Sequence, residues 1–136
     1  MSAIEIRGID HVVLRVRDVE ASLAFYGALG CKEERRVEAL GLIQLRAGGG
    51  LIDLVDVSQP LGRAGGAPPG DEARNMDHFA LQLADFDEEG IRRCLLEAGI
   101  EPGDVGQRYG ALGSGPSMYI RDPDGNVVEL KGPPTA

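Results

Sequence analysis

The stretch "IDHVVLRVRDVEASLAFYGALG" (residues 9–30) returns in similar form as "MDHFALQLADFDEEGIRRCLLEAGI" (residues 76–100). Each copy opens with Asp-His, continues as an alternating apolar run typical of a β-strand, and then changes to apolar residues at helical spacing. Asp18 and Asp87 are suited to cap the two helices, and a glycine ends each pattern. The chain is therefore predicted to contain two copies of one strand–helix unit.

A hairpin pattern follows later in each half of the chain. The segments "LIQLRAGGGLIDLVD" (residues 42–56) and "MYIRDPDGNVVELKG" (residues 118–132) each place a glycine-bearing turn between two alternating runs. When the two segments are aligned without gaps, Asp53 corresponds to Glu129. Each half thus contributes one histidine and one acidic residue at equivalent positions.

The two halves differ in length. His78 follows His11 by 67 residues, whereas Glu129 follows Asp53 by 76, so nine residues are added in the second half. The glycine-rich segment 102–117 lies between the second helix and its hairpin, and its composition predicts a long loop that could act as a lid.

Length and composition indicate one globular domain. The 136 residues are enough for a single hydrophobic core. Residues 1–136 are interpreted as one domain, with a first module at about residues 7–57 and a second at about residues 76–132. Between them, residues 58–75 are too rich in glycine and proline for a regular element and are interpreted as a linker.

The charge of the chain limits its partners. A net charge of −8 leaves no basic stripe for nucleic acid or an anionic membrane, so a small-molecule substrate is the favoured partner. No apolar run approaches the roughly 18 residues of a membrane span, and the first residues lack the pattern of a signal peptide. A cytoplasmic location is therefore expected.

Strand alternation predicts that four polar side chains share one type of sheet face, opposite the apolar side chains that pack on the helices. These four are His11, Asp53, His78 and Glu129. Two imidazoles and two carboxylates form a nitrogen and oxygen set suited to a divalent metal ion such as zinc, nickel, manganese or iron. A single histidine of this kind is more often a hydrogen-bonded strand residue, so the prediction rests on the repeat.

The two segments that begin with Asp-His and the segment "MYIRDPDGNVVEL" (residues 118–130) resemble the vicinal oxygen chelate superfamily, which includes glyoxalase I, bleomycin-resistance proteins and extradiol dioxygenases. The resemblance covers about residues 9–131. It implies an α+β fold of two tandem βαβββ modules that form an open curved mixed sheet, or cup, with helices on its outer face. It also implies a homodimer with a metal on the concave face.

The resemblance carries the metal-ligand positions onto His11, Asp53, His78 and Glu129, with Asp53 standing where glyoxalase I has glutamate. It implies a glyoxalase-like, metal-dependent lyase or isomerase that acts on a small oxygenated metabolite. The metal would act as a Lewis acid, and Glu129 would take and return a proton.

The same residues are also compatible with other functional hypotheses. An extradiol-type dioxygenase would hold iron with three of the four ligands, and a thiol transferase of the fosfomycin-resistance type would use the same three. A bleomycin-type protein would bind a drug in the cup without metal. Arg108 and Tyr109, within the predicted loop, could grip a substrate carboxylate or phosphate, or could be an exposed loop pair. Asp10 and Asp77, at the strand entries, are expected to point away from the site.

Overall fold

The computed structural model describes residues 3–135, which form two βαβββ modules joined by a linker. The first module contains β1 (His11–Val16), α1 (Val19–Ala28), β2 (Lys32–Val37), a 3₁₀ turn (Glu38–Leu40), β3 (Leu42–Ala47) and β4 (Gly50–Asp56). The linker contains the short helix α2 (Pro60–Arg63). The second module contains β5 (His78–Gln82), α3 (Glu88–Glu97), β6 (Val105–Gly110), β7 (Gly113–Arg121) and β8 (Val127–Lys131).

Each module forms its own four-stranded mixed sheet. The strand orders are β1-β4-β3-β2 and β5-β8-β7-β6, so the two sheets repeat one topology. In each sheet the first strand pairs in parallel with the last, and the remaining pairs are antiparallel. The predicted α+β fold of two βαβββ modules is confirmed, with two open sheets within one chain.

Local signals position the two long helices as predicted. The Asp18 side chain accepts a hydrogen bond from the backbone N–H of Ala21 at 3.1 Å, and Asp87 accepts one from Gly90 at 3.2 Å. Each bond satisfies a backbone donor that the first helical turn leaves without a partner. After α3 the chain turns at Gly99, whose φ of 74° is a left-handed conformation that glycine adopts without steric cost.

The apolar faces of both sheets and both long helices share one hydrophobic core. The buried members of this core are Leu14, Val16, Phe25, Tyr26, Ile43, Leu45, Ile52, Leu54, Leu95, Ile100, Met118, Ile120, Val128 and Leu130. Because neighbouring strand residues point to opposite faces, the polar faces are turned away from this core. No helix among residues 3–135 is long and apolar enough to cross a membrane.

Segment 102–117 is not the long loop that its glycine content predicts. It forms β6 and the first half of β7, joined by a two-residue turn at residues 111–112. Two of the glycines allow close packing, because a Cβ on Gly115 would collide with the carbonyl oxygen of Pro133 and one on Gly103 with that of Tyr119. The lid prediction is therefore wrong, and the added residues lengthen a hairpin.

The linker is also more ordered than its composition predicts. It includes the single-turn helix α2, and Arg15 on β1 donates hydrogen bonds to the carbonyl oxygens of Gly62 at 3.2 Å and Ala67 at 3.0 Å. These bonds hold the linker against the first module. The expectation that residues 58–75 contain no regular element is wrong for Pro60–Arg63, which form α2.

Candidate metal centre

The first module brings His11 and Asp53 together. His11 is the first residue of β1, and Asp53 lies on the neighbouring strand β4, where its register partner is Val13. The Nε2 atom of His11 lies 3.9 Å from Oδ2 of Asp53, whose side chain is only 7% exposed. Gln44 on β3 donates from Nε2 to both carboxylate oxygens of Asp53 at 3.2 Å. These bonds hold the buried carboxylate beside the imidazole.

The second module repeats this arrangement with His78 and Glu129. His78 begins β5, and Glu129 lies on the adjacent β8 with Ala80 as its register partner. The Nε2 atom of His78 lies 3.4 Å from Oε1 of Glu129, whose side chain is 8% exposed. Among residues 3–135, Glu129 receives no side-chain hydrogen bond like that of Gln44, so its carboxylate keeps free acceptor positions.

Each histidine is also held from its other ring nitrogen. The Nδ1 atom of His11 lies 2.8 Å from Oδ2 of Asp10, and that of His78 lies 2.6 Å from Oδ2 of Asp77. The expectation that Asp10 and Asp77 point away from the site is therefore wrong. A carboxylate on Nδ1 selects the tautomer whose Nε2 lone pair is available. Such a carboxylate is a usual second partner of a metal-binding histidine.

The surroundings of His11 favour a positive charge. The hydrogen bond to Asp10 and the charge of Asp53 raise the pKa of His11. When the Nδ1–H group of His11 donates a hydrogen bond to Asp10, the lone pair on Nε2 faces a carboxylate oxygen of Asp53. A cation between these two atoms would remove the repulsion between the lone pair and the negative oxygen. Ligand atoms about 2.0–2.1 Å from a tetrahedral zinc ion are roughly 3.3 Å apart. The separation of 3.4 Å between His78 and Glu129 fits such a pair of ligands.

The two pairs do not converge within one chain. Across residues 3–135 there is no group of three or more His, Cys, Asp or Glu side chains that could hold a metal ion. The physical reason is the shared core, which joins the apolar faces of the two sheets and leaves the polar faces on the outside. One chain therefore presents two separate pairs, each with one imidazole and one carboxylate, which are called half-sites below.

The structure separates the two residues predicted to grip a substrate. Arg108 lies on the polar face of the second sheet, where its guanidinium donates to the carbonyl and hydroxyl of Ser117 at 2.8 and 2.7 Å. The Cζ atom of Arg108 lies 4.3 Å from the ring centre of Tyr119, and the Tyr119 ring packs edge-on against His78. Tyr109 points to the other face of β6 and is 85% exposed.

Two arginines near His78 were missed by the sequence reasoning. Arg74 and Arg121 line a cavity beside this histidine. Alternation along β7 was a usable signal for Arg121, because it shares a face with Tyr119 and, through the hairpin register, with Glu129. Arg74 lies in the irregular linker, where no periodic pattern indicates the direction of a side chain.

Comparisons with known proteins agree with this fold and its repeat. Residues 8–130 match the family model of the Glyoxalase/Bleomycin resistance protein/Dioxygenase superfamily. Virulence protein STM3117 of Salmonella typhimurium is 31% identical over 130 residues, which cover 90% of this chain and 81% of that protein. Its crystal structure superposes with a TM-score of 0.74 and 27% identity, covering 96% of this chain and all of the other.

Two further solved structures are similar. An integron cassette protein from the mobile metagenome of V. cholerae has a TM-score of 0.72 and 26% identity, and the match covers 96% of this chain and 98% of that one. A lactoylglutathione lyase from Agrobacterium tumefaciens has a TM-score of 0.67 and 23% identity, covering 93% and 94% of the two chains, and this likeness concerns the fold alone. From the match over residues 8–130, together with the duplicated modules, the chain belongs to the glyoxalase/bleomycin resistance protein/dioxygenase superfamily.

Proposed function

We propose that this protein is a metal-dependent lyase or isomerase that acts on a small oxygenated metabolite. The observation that carries the proposal is the duplicated pair of an imidazole Nε2 facing a buried carboxylate, with an aspartate on each Nδ1. A divalent ion, with zinc, nickel, manganese and iron as its candidates, would be held by His11, Asp53, His78 and Glu129.

The proposed metal centre needs two chains, because each chain offers two half-sites that do not meet. The outer strands β1 and β5, which begin with the two histidines, are unpaired edges of their sheets. Val13 on the polar face of β1 is 45% exposed, and Ala80 on β5 is exposed as well. Unpaired edges with exposed apolar residues favour association with another copy. In the proposed homodimer, the first module of one chain faces the second module of its partner.

The two carboxylates differ in a way that assigns a role to each. Both oxygens of Asp53 accept hydrogen bonds from Gln44, so this side chain is held in place and is suited to orient a ligand. Glu129 has free acceptor positions and is suited to take a proton from the carbon beside a substrate carbonyl and to return it. A bound divalent ion would supply Lewis acidity toward two adjacent substrate oxygens.

Elemental analysis of the untagged protein tests the metal centre. We expect about one transition-metal ion per chain in the wild type, and its loss in His11→Ala and in Glu129→Ala, since each removes one ligand of the set. Glu97→Ala, at an exposed position on α3, is the matched control and should keep its metal. A wild-type protein without metal, even after reconstitution with zinc, nickel, manganese and ferrous iron, would contradict the proposal and favour a metal-free binding protein.

The reaction is tested on the metal-loaded protein. Hemithioacetals, epimerisable acyl thioesters and catechols are the substrates to screen, in that order. Glu129→Gln should abolish turnover of any substrate found, because an amide cannot take the proton. Full turnover by this variant would exclude the assigned role of Glu129, and cleavage of catechols alone would favour the dioxygenase reading.

A further inference from the structure

A cavity of about 300 Å³ opens on the polar face of the second sheet beside His78. Its lining includes Val127 on β8, Tyr119 and Arg121 on β7, and Arg74 from the linker. This volume is at the lower end of the range for sites that hold small molecules. The cavity therefore has room for one end of a small metabolite next to the half-site of the second module.

The sheet register places one of the arginines in line with the histidine. His78 pairs with Val127, and Val127 pairs with Arg121, so these three residues form one row across β5, β8 and β7. Two residues further along β8, Glu129 pairs with Tyr119. Because alternate residues share a face, Arg121 projects from the same face as Glu129. A group bound by Arg121 would lie close to the proposed metal ligands.

The two guanidinium groups at this cavity are only weakly engaged by protein acceptors. Arg121 donates to the carbonyl of Gly125 at 3.5 Å, the limit of a hydrogen bond, and forms no ion pair among residues 3–135. Arg74 lies 3.7 Å from Asp77, whose carboxylate is already engaged by His78 at 2.6 Å. By contrast, bidentate hydrogen bonds pair Arg36 and Arg46 with glutamates.

Free guanidinium donors in a cavity indicate the charge of its ligand. Arginine presents planar, paired donors that match the oxygens of a carboxylate or a phosphate. The cavity lining also includes Asp77, whose carboxylate is bonded to His78, so the two arginines leave one net positive charge at this site on a molecule whose net charge is −8. Such a site attracts an anionic group and orients it.

We propose that the cavity binds the anionic end of the substrate through Arg121 and Arg74, and that the substrate is an organic oxyanion. The anionic group is a carboxylate or a phosphate, and the reacting oxygens lie beyond it, toward His78 and Glu129. As a statement about the substrate this inference rests on the proposed function. The binding of an anion in the cavity does not, because it requires neither metal nor turnover.

Titration of the metal-free protein with acetate and with inorganic phosphate, at constant ionic strength, tests the proposal. Backbone amide NMR signals of Val127 and Arg121 should shift on addition of the anion that fits. Arg121→Gln should weaken that binding about tenfold or more, because a charge-assisted hydrogen bond is lost. Arg74→Gln should weaken it as well. A preference for acetate identifies a carboxylate, and a preference for phosphate identifies a phosphate ester.

The controls separate a site from general charge. Arg93→Gln changes the net charge equally at an exposed position on α3 and should leave anion binding unchanged. Arg121→Lys keeps the charge without the paired donors and should fall between the wild type and Arg121→Gln. No binding of either anion, or equal weakening by Arg93→Gln and Arg121→Gln, would overturn the proposal. Anion binding in a protein that takes up no metal would contradict the proposed function alone.

Discussion

Asp10 and Asp77 contact the two histidines at Nδ1, the ring nitrogen opposite the carboxylate of each pair. Each aspartate is adjacent in sequence to its histidine and lies within hydrogen-bond distance of Nδ1. Both carboxylates are largely exposed, with side-chain exposures of 89% and 84%, so burial does not explain their position. The repetition of this contact in both modules supports a role in orienting the imidazole.

Replacing each aspartate by asparagine tests this role. We expect Asp10→Asn and Asp77→Asn each to lower zinc affinity about 10- to 100-fold, the usual effect of losing the outer partner of a ligating histidine. Competition with a chromophoric chelator measures the affinity. Asp104→Asn, at an exposed position before β6, is the matched control and should keep wild-type affinity. Unchanged zinc binding in both variants would exclude an orienting role.

The titration of His11 in the metal-free protein gives a readout that does not depend on metal. The hydrogen bond to Asp10 is the largest cause of its raised pKa, so Asp10→Asn should lower that pKa toward the ordinary value. Because the folded-state pKa is raised, protonated His11 favours the folded state at low pH, and this contribution is lost as pH rises through the raised value. NMR titration of the two histidine rings follows the change directly.

At the scale of elements, the turn between β7 and β8 joins the two modules. Asp122 in this turn accepts a hydrogen bond from the buried Tyr26 hydroxyl of α1 at 2.6 Å and another from Asn126 at 2.8 Å. Asp124 accepts a further bond from the backbone N–H of Arg17 at 3.0 Å. Burial, with the nearby charge of Asp122, raises the pKa of Tyr26, so its hydroxyl remains a donor throughout the accessible pH range.

Tyr26→Phe removes one donor from this buried network. We expect a loss of about 1–3 kcal/mol in the free energy of unfolding, since a hydrogen bond to a charged acceptor is broken and Asp122 stays buried. Denaturant unfolding followed by circular dichroism measures the change. Tyr109→Phe, on the exposed face of β6, should change stability by less than about 0.5 kcal/mol. Equal effects of the two variants would show that the inter-module bond contributes nothing to stability.

At the scale of the whole molecule, the two half-sites make a shared metal centre testable by complementation. His11→Ala damages the first module of a chain and Glu129→Ala the second. In a mixed dimer, the intact first module of one chain would face the intact second module of the other, which restores one complete site.

Refolding the two variants together should therefore restore about a quarter of the wild-type metal content if subunits pair at random. Half of the dimers are then mixed, and each mixed dimer has one complete site of two. Each variant refolded alone is the control and should hold no metal at this site. Elemental analysis after gel filtration measures both. No recovery in the mixture, with dimers present, would show that the four ligands are not shared between chains in this way.

The sequence by itself determined the repeat, the capped helices and most strands, because these depend on local periodicity and on side chains that bond within a few residues. Alternation also predicted that His11, Asp53, His78 and Glu129 lie on polar sheet faces. In the structure His11 lies beside Asp53, and His78 lies beside Glu129. The family followed from the same residues.

Only the tertiary structure decided which of these residues meet. Glycines between residues 102 and 117 are typical of a loop by local rules. In the structure most of this segment pairs as β6 and β7, and a Cβ on Gly115 would collide with the distant backbone of Pro133. The cavity arginines and the separation of the two half-sites likewise depend on how the sheets pack around one core. These features follow from contacts between residues far apart in the chain, which local periodicity does not encode.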